Sequence, residues 1–170
     1  MTITKTKNCF TGPLDKTLTD DELYNYFIQN IYYGNLKING IPVAVFETPF
    51  EDNRMQGYFH LTTKTQKQFN MKIRMKEPRA YYINHVAPMI NNFLNCKNCD
   101  NEECSKIKVW TKPYKNTKRT KLLYTNDMYS YIVILERHKN KVYIVTSYLI
   151  DEPNYLEKIL SEYNKYKKDS

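Results

Sequence analysis

Residues 129–149 read YSYIVILERHKNKVYIVTSYL. Two apolar runs flank a polar break, which is the pattern of a β-hairpin. The first run shows no polar alternation, so its strand is apolar on both faces. The second ends in Thr146, Ser147 and Tyr148, where a buried sheet runs out into hydroxyl groups. Strict alternation puts Val142, Ile144, Thr146 and Tyr148 on one face and Tyr143, Val145, Ser147 and Leu149 on the other.

Working outward, a period of two recurs at 107–109, 122–124 and 128–137. With 142–149 this predicts four strands joined by short turns, an antiparallel meander. Asp151-Glu152-Pro153 opens a closing helix with Tyr155, Leu156, Ile159, Leu160 and Tyr163 as its buried stripe. Upstream, Tyr82, Val86, Met89, Ile90 and Phe93 mark a helix over 79–94 that Pro88 should kink or split. Asp20 or Asp21 caps a helix running to Tyr33, and Asn39-Gly40 turns the chain between 36–38 and 41–46. Residues 58–62 read as a short strand, and 63–78 as basic and irregular. The expected fold is therefore α+β, with helices packed on one face of a four-stranded antiparallel sheet and a small N-terminal helix and hairpin extension. Residues 1–18 read as a flexible arm and 19–170 as one domain, with a cysteine-rich loop insert at 95–105.

At 170 residues, 41% hydrophobic and 26% charged, the composition is that of a single globular domain. No apolar run reaches the length of a membrane span, and the polar start MTITKTKNCF does not resemble a signal peptide, so a cytoplasmic location without membrane partners is expected. A net charge of +8 favours an anionic partner, most commonly nucleic acid, against the plainer reading of a lysine-rich solvated surface. Seven of the basic residues fall between Lys106 and Lys121 with no acid among them. Lys106, Lys108, Lys112, Lys118 and Lys121, interleaved with Trp110 and Tyr114, form the pattern that stacks and neutralises unpaired RNA.

Each candidate site carries a structural alternative. Thr146 is either an ordinary strand residue or, beside Tyr148, a hydroxyl that holds a phosphate oxygen. His60 lies between Phe59 and Leu61, and its imidazole suits removal of a proton from a ribose 2′-OH near neutral pH. A histidine satisfied by a backbone carbonyl has the same sequence surroundings. Arg79 opens a helix, where a cation is disfavoured by the macrodipole unless it grips an anion there. The alternative is a surface ion pair, and Arg119 has the same two readings. Cys96, Cys99 and Cys104 supply three thiolates of a structural zinc site, with Cys9 or His85 as the fourth donor; reduced loop thiols are the alternative.

The run 57–62, the helix-opening Arg79, Val109-Trp110, Arg119, Tyr131 with the strand it begins, and Val145-Thr146-Ser147-Tyr148 resemble the phage-borne branch of the barnase, EndoU, colicin and RelE-like nuclease superfamily (the BECR fold). The likeness spans roughly residues 20–165 and rests on the order and spacing of short motifs. It implies an RNA-cleaving cleft on a four-stranded antiparallel sheet, with His60, Arg79, Arg119, Tyr131 and Thr146 at the site positions. Thr146-Ser147-Tyr148 stands where the family has a TAY-like motif, so Tyr148 joins that set. The cysteine insert departs from the family pattern.

The implied activity is a metal-independent endoribonuclease, a phage effector or toxin. His60 takes the 2′-OH proton, Arg79 and Arg119 stabilise the phosphate, Thr146 and Tyr131 fix the phosphate or assist the leaving oxygen, and Tyr148 or a second histidine is an alternative acid. No cofactor is expected in catalysis. RNA is the expected partner, with a cognate inhibitor or a host translation component beside it. A non-catalytic nucleic-acid-binding protein and a phage inhibitor of an acidic host protein are the competing readings.

Overall fold

The computed structural model describes residues 12–68, 71–76, 78–99 and 106–167. Thr19, one residue ahead of the expected aspartates, caps α1 (Asp20–Phe27) through a capping box. Its hydroxyl accepts from Glu22 N at 3.2 Å, and Glu22 Oε2 accepts from Thr19 N at 2.8 Å. Asp20, Asp21 and Glu22 then occupy the first turn, the end of the helix where negative charge is favoured. The helix buries Leu23 and Phe27 and continues as a π-turn, Ile28–Tyr32, that buries Ile31. Asn39 and Gly40, both at positive φ, turn the chain between β1 (Lys37–Ile38) and β2 (Ile41–Ala44), as the Asn-Gly pair predicts.

The expected strand at 58–62 is instead part of a helix, α2 (Gln56–Thr62). It is buried at every position except His60, so no polar face shows its helical period. Gly57 makes this docking possible: a Cβ there would stand 2.9 Å from Val45 Cβ, and its N–H donates to Phe46 O at 2.7 Å. The stretch expected to be irregular forms a two-stranded antiparallel sheet, β3 (Thr63–Gln68) with β4 (Met71–Lys76). β3 is polar at every position and so carries no apolar alternation, while β4 does alternate through Met71, Ile73 and Met75, a signal the reading of this stretch as irregular passed over. The expected helix 79–94 divides as a 3₁₀ segment, Pro78–His85, followed by α3 (Val86–Asn92). Pro88 falls in the first turn of α3, where its missing N–H has no intrahelical partner to lose.

The class is α+β, and the main sheet corrects the finer expectation. It has six strands in the order β1-β2-β8-β7-β6-β5 and is mixed. β5 (Lys108–Tyr114), β6 (Thr117–Thr125), β7 (Ser130–His138) and β8 (Lys141–Ile150) pair antiparallel in succession, but β2 adds parallel to β8 through Val43↔Val142 and Ala44↔Tyr143. The N-terminal hairpin is thus part of the sheet, joined by a pairing between residues a hundred positions apart. Helices also lie on both faces. α1, α2, α3 and the 3₁₀ segment pack over Tyr131, Val133 and Leu135, while α4 (Pro153–Tyr166) packs over Trp110, Leu123, Ile132 and Ile134. β7 is buried from Ser130 through Leu135, and each of its aliphatic side chains contributes about 2 kcal/mol to one layer or the other. That two-sided burial is what its unbroken apolar run encodes.

A β-bulge in β8 settles which side chains share a face. Ile134 pairs with Thr146 but Leu135 pairs with Ile144, leaving Val145 as the extra residue. Strict alternation is therefore corrected beyond Ile144. Val142, Ile144, Ser147 and Leu149 face the α1–α3 layer, and Tyr143, Thr146 and Tyr148 face the α4 side. Among the described residues, no helix is long and apolar enough to cross a membrane.

Candidate functional site

β2 accompanies β8 only as far as Tyr143, so the next residues of β8 need other partners on that side. α2 and the 3₁₀ segment supply them. The Thr146 hydroxyl donates to His60 O at 2.8 Å. The Arg79 guanidinium donates to Ser147 O at 3.0 Å and also to Thr63 O. From the other strand, the Tyr131 hydroxyl donates to Ser147 Oγ at 2.6 Å. Four of the residues expected at a site thus meet along one strand edge: His60, Arg79, Tyr131 and Thr146.

The Arg79 terminal nitrogens and the Tyr131 and Thr146 hydroxyls are engaged with the fold itself. Tyr131 is completely buried, and burial pushes its phenol well above the usual range against the opposing pull of Ser147 and Arg79. A hydroxyl enclosed in this way does not reach a leaving oxygen at the surface, which corrects the role expected of Tyr131. Arg79 closes two backbone carbonyls and so holds the 3₁₀ segment to β8, an arrangement that explains a cation at this position without an anion. Tyr148 lies under α4, its hydroxyl 2.7 Å from that of Tyr155. Burial, and then that contact, raise its phenol. The imidazole of His60 is half-buried, with its Nδ1 enclosed, and makes an edge contact with Phe46 at 5.9 Å.

From Phe46 a continuous row of side chains runs across the α4 side of the sheet. Phe46 stacks on Tyr143, with ring centres 4.8 Å apart and planes 17° from parallel. Tyr143 meets the edge of His138 at 5.5 Å, and His138 Nε2 is 3.0 Å from Glu136 Oε1. Glu136 Oε2 accepts from Arg119 Nε at 2.8 Å, and the Arg119 guanidinium lies 3.5 Å over the Tyr114 ring. Register makes the row: Lys112↔Arg119, Arg119↔Glu136, Glu136↔Tyr143 and Tyr143↔Ala44 are successive cross-strand partners. At the 4.7–4.9 Å spacing of neighbouring strands it spans about 19 Å. His138 is 48% exposed, Arg119 23% and Glu136 12%, so the cluster opens to solvent at the histidine. A carboxylate with an imidazole on one oxygen and a guanidinium on the other joins a proton acceptor, a proton donor and an oxyanion clamp.

The chain matches no family model, no curated protein and no solved structure. Its site is therefore argued from its own geometry.

The basic segment 106–121 divides between the two sides of that geometry. Trp110 is fully buried under α4, which corrects its expected role as an exposed stacking ring. Its indole N–H donates to Glu162 at 2.9 Å, and Lys112 and Lys121 pair with the same carboxylate at 2.9 and 2.7 Å. Burial opposes ionisation of Glu162, but Lys121, Lys112 and the indole overcome it and hold its carboxyl down at about 2. Lys112 and Lys121 thereby share one carboxylate within the fold, where the sequence led to the expectation of cations free to bind RNA. Lys108 lies over the Tyr163 ring of α4, and Lys106 donates to Cys99 O. Tyr114 remains in the row beneath Arg119, and Lys118 is exposed on the same hairpin.

Cys96 and Cys99 are half-buried, while Cys104 and Cys9 lie outside the described residues. His85 does not serve as their fourth donor. Its Nε2 is 2.7 Å from the Tyr129 hydroxyl and its Nδ1 2.9 Å from Asn84 Oδ1. Burial among Tyr82, Tyr124 and Tyr131 lowers it to about 4. Among the described residues, no group of three His, Cys, Asp or Glu could hold a metal ion.

Glu136, Phe46 and Tyr143 are candidate site residues that the sequence reading did not name, and His138 entered it only as a solvated turn histidine or an unassigned second histidine. Glu136 and His138 did carry a signal: they are two apart at the end of a predicted strand and so share a face. Their partner Arg119 was legible only once the register was known.

Proposed function

We propose that the protein is an endoribonuclease that cleaves RNA by attack of a ribose 2′-OH on the adjacent phosphate, leaving a 2′,3′-cyclic phosphate without a metal in the chemical step. The Arg119–Glu136–His138 cluster carries this reading, because it gathers the three chemical roles within reach of one phosphate, on the face of the sheet that His60 also borders. Glu136 takes the 2′-OH proton, and protonated His138 gives its proton to the departing 5′-oxygen. Arg119, bound to Glu136 through Nε, turns its terminal nitrogens to the phosphate oxygens, where charge grows in the transition state. The base role expected of His60 passes to Glu136, since three ring contacts separate His60 from that carboxylate. His60 instead borders the Phe46–Tyr143 stack, and Thr146 and Arg79 act as positioning residues that fix it there.

Incubating the purified protein with mixed RNA in excess chelator tests this reading. Fragments ending in cyclic phosphate, lost in both Glu136→Gln and His138→Ala, are the expected outcome. Intact RNA that is nonetheless bound with a steep salt dependence would identify a binding protein instead. Arrest of growth on expression, relieved by His138→Ala, is the outcome expected of a phage effector or toxin.

A further inference from the structure

At the end of the sheet, the turns of the β5–β6 and β7–β8 hairpins enclose a basin of about 530 Å³. Lys139, Asn140 and Lys141 of one turn and Asn116 and Thr117 of the other line it, with no acid in the lining. Its shape is fixed by backbone. The Thr117 hydroxyl donates to Arg137 O at 3.2 Å, and Lys139 takes the positive φ that a two-residue turn between His138 and Lys141 requires. The basin also opens onto the row, because His138 and Tyr143 complete its lining.

Two cations, Lys139 and Lys141, beside amide and hydroxyl donors suit phosphate oxygens, which accept from all of them. Neither lysine forms an ion pair among the described residues, unlike Lys112 and Lys121 on Glu162. The neighbouring Phe46–Tyr143 stack adds a second requirement. A backbone seated in the basin brings its next base over an aromatic face, and only an unpaired base can lie there. From this juxtaposition we infer that the basin is a phosphate subsite for single-stranded RNA, flanking the cleavage cluster and directing the strand along the row. The inference rests on the cleavage reading for its polymer, but its test does not depend on cleavage.

The probe is a labelled single-stranded 12-mer carrying 2′-O-methyl groups throughout, which lacks the attacking hydroxyl and stays intact. Its binding to the full chain is followed by fluorescence anisotropy from 50 to 200 mM salt. Lys139→Gln/Lys141→Gln should bind about fivefold or more weakly, and the slope of log affinity against log salt should flatten by about 1.4 for two lost phosphate contacts. A control with two exposed lysines changed elsewhere, Lys37→Gln/Lys158→Gln, has the same net charge and should bind like the parent. Equal weakening in both variants would overturn the subsite, leaving only general charge. Duplex of the same sequence bound as tightly as the single strand would overturn the strand preference. Failure of the cleavage reading shows separately, as unmodified RNA left whole while the 12-mer still binds.

Discussion

His60, Arg79, Tyr131 and Thr146 meet where β8 loses its strand partner, and there the Arg79 guanidinium and the Tyr131 and Thr146 hydroxyls close bonds within the fold. Toward the hairpin end of β6 and β7, Arg119, Glu136 and His138 also contact one another, but on a face that opens to solvent and beside a basin without acids. Both regions contain histidine, arginine and hydroxyl groups, the residue types that sequence reasoning takes for an RNA-cleaving site. The difference lies in what each group completes. Arg79 satisfies backbone carbonyls that would otherwise be buried without donors, so removing it damages the fold. Arg119 is bound to another side chain, so its removal alters the site and leaves the sheet ladder whole.

The sharpest way to break this comparison is to exchange the functional losses. Glu136→Gln and His138→Ala should each lower turnover by about 10²–10⁴ with cooperative unfolding unchanged, as general acid–base groups do. Arg119→Lys should cost about 10²–10³ in turnover, since a lysine cannot hold Glu136 and a phosphate as one planar fork. The junction predicts the opposite balance. Arg79→Met leaves the Ser147 and Thr63 carbonyls without their donor and should cost about 3 kcal/mol in urea unfolding, while activity per folded molecule stays within a few fold. If Arg79→Met instead leaves stability intact and abolishes turnover, the roles of the two regions are reversed.

A pH series sharpens the same contrast, provided that acid unfolding is separated from titration of the row. His85 is held at about 4 in the fold by burial, below its ordinary 6.5. The unfolded chain takes up that proton as pH falls through 6.5 and the folded chain does not, so stability is full above 6.5 and is lost down to 4. At about 1.4 kcal/mol per unit the loss reaches about 3 kcal/mol. His85→Gln should remove most of this slope between pH 6.5 and 4. The smallest expected effect is that of Tyr131→Phe, which loses one buried hydrogen bond and should cost about 1 kcal/mol without altering product ends.

Sequence alone made much of this molecule legible, and the omissions have physical causes. The four long strands and α4 were visible because their apolar residues follow a single period, and the unbroken run in β7 already encoded two covered faces. α2 was mistaken for a strand because burial on almost every side erased its helical period. β3 was missed because it is polar throughout, and the short alternation Met71, Ile73, Met75 in β4 was hidden among its cations. The convergence of His60, Arg79 and Thr146 was expected, but their engagement with backbone carbonyls depends on where β2 stops, which no local pattern records. Trp110, Lys112 and Lys121 read as an RNA surface until α4 brought Glu162 onto them. The bulge at Val145 decided that Tyr143 and Thr146 share a face, and a one-residue shift of this kind has no signature in an alternating run.

The chemistry of the row is tested most directly by the 3′ ends of RNA fragments made in excess chelator, analysed by mass spectrometry for the parent, Glu136→Gln and His60→Ala. The account predicts 2′,3′-cyclic phosphate ends from the parent, none from Glu136→Gln, and the same ends at a reduced rate from His60→Ala. Cyclic ends formed at the parental rate by Glu136→Gln and absent from His60→Ala would contradict it, returning the chemistry to the junction at the edge of β8.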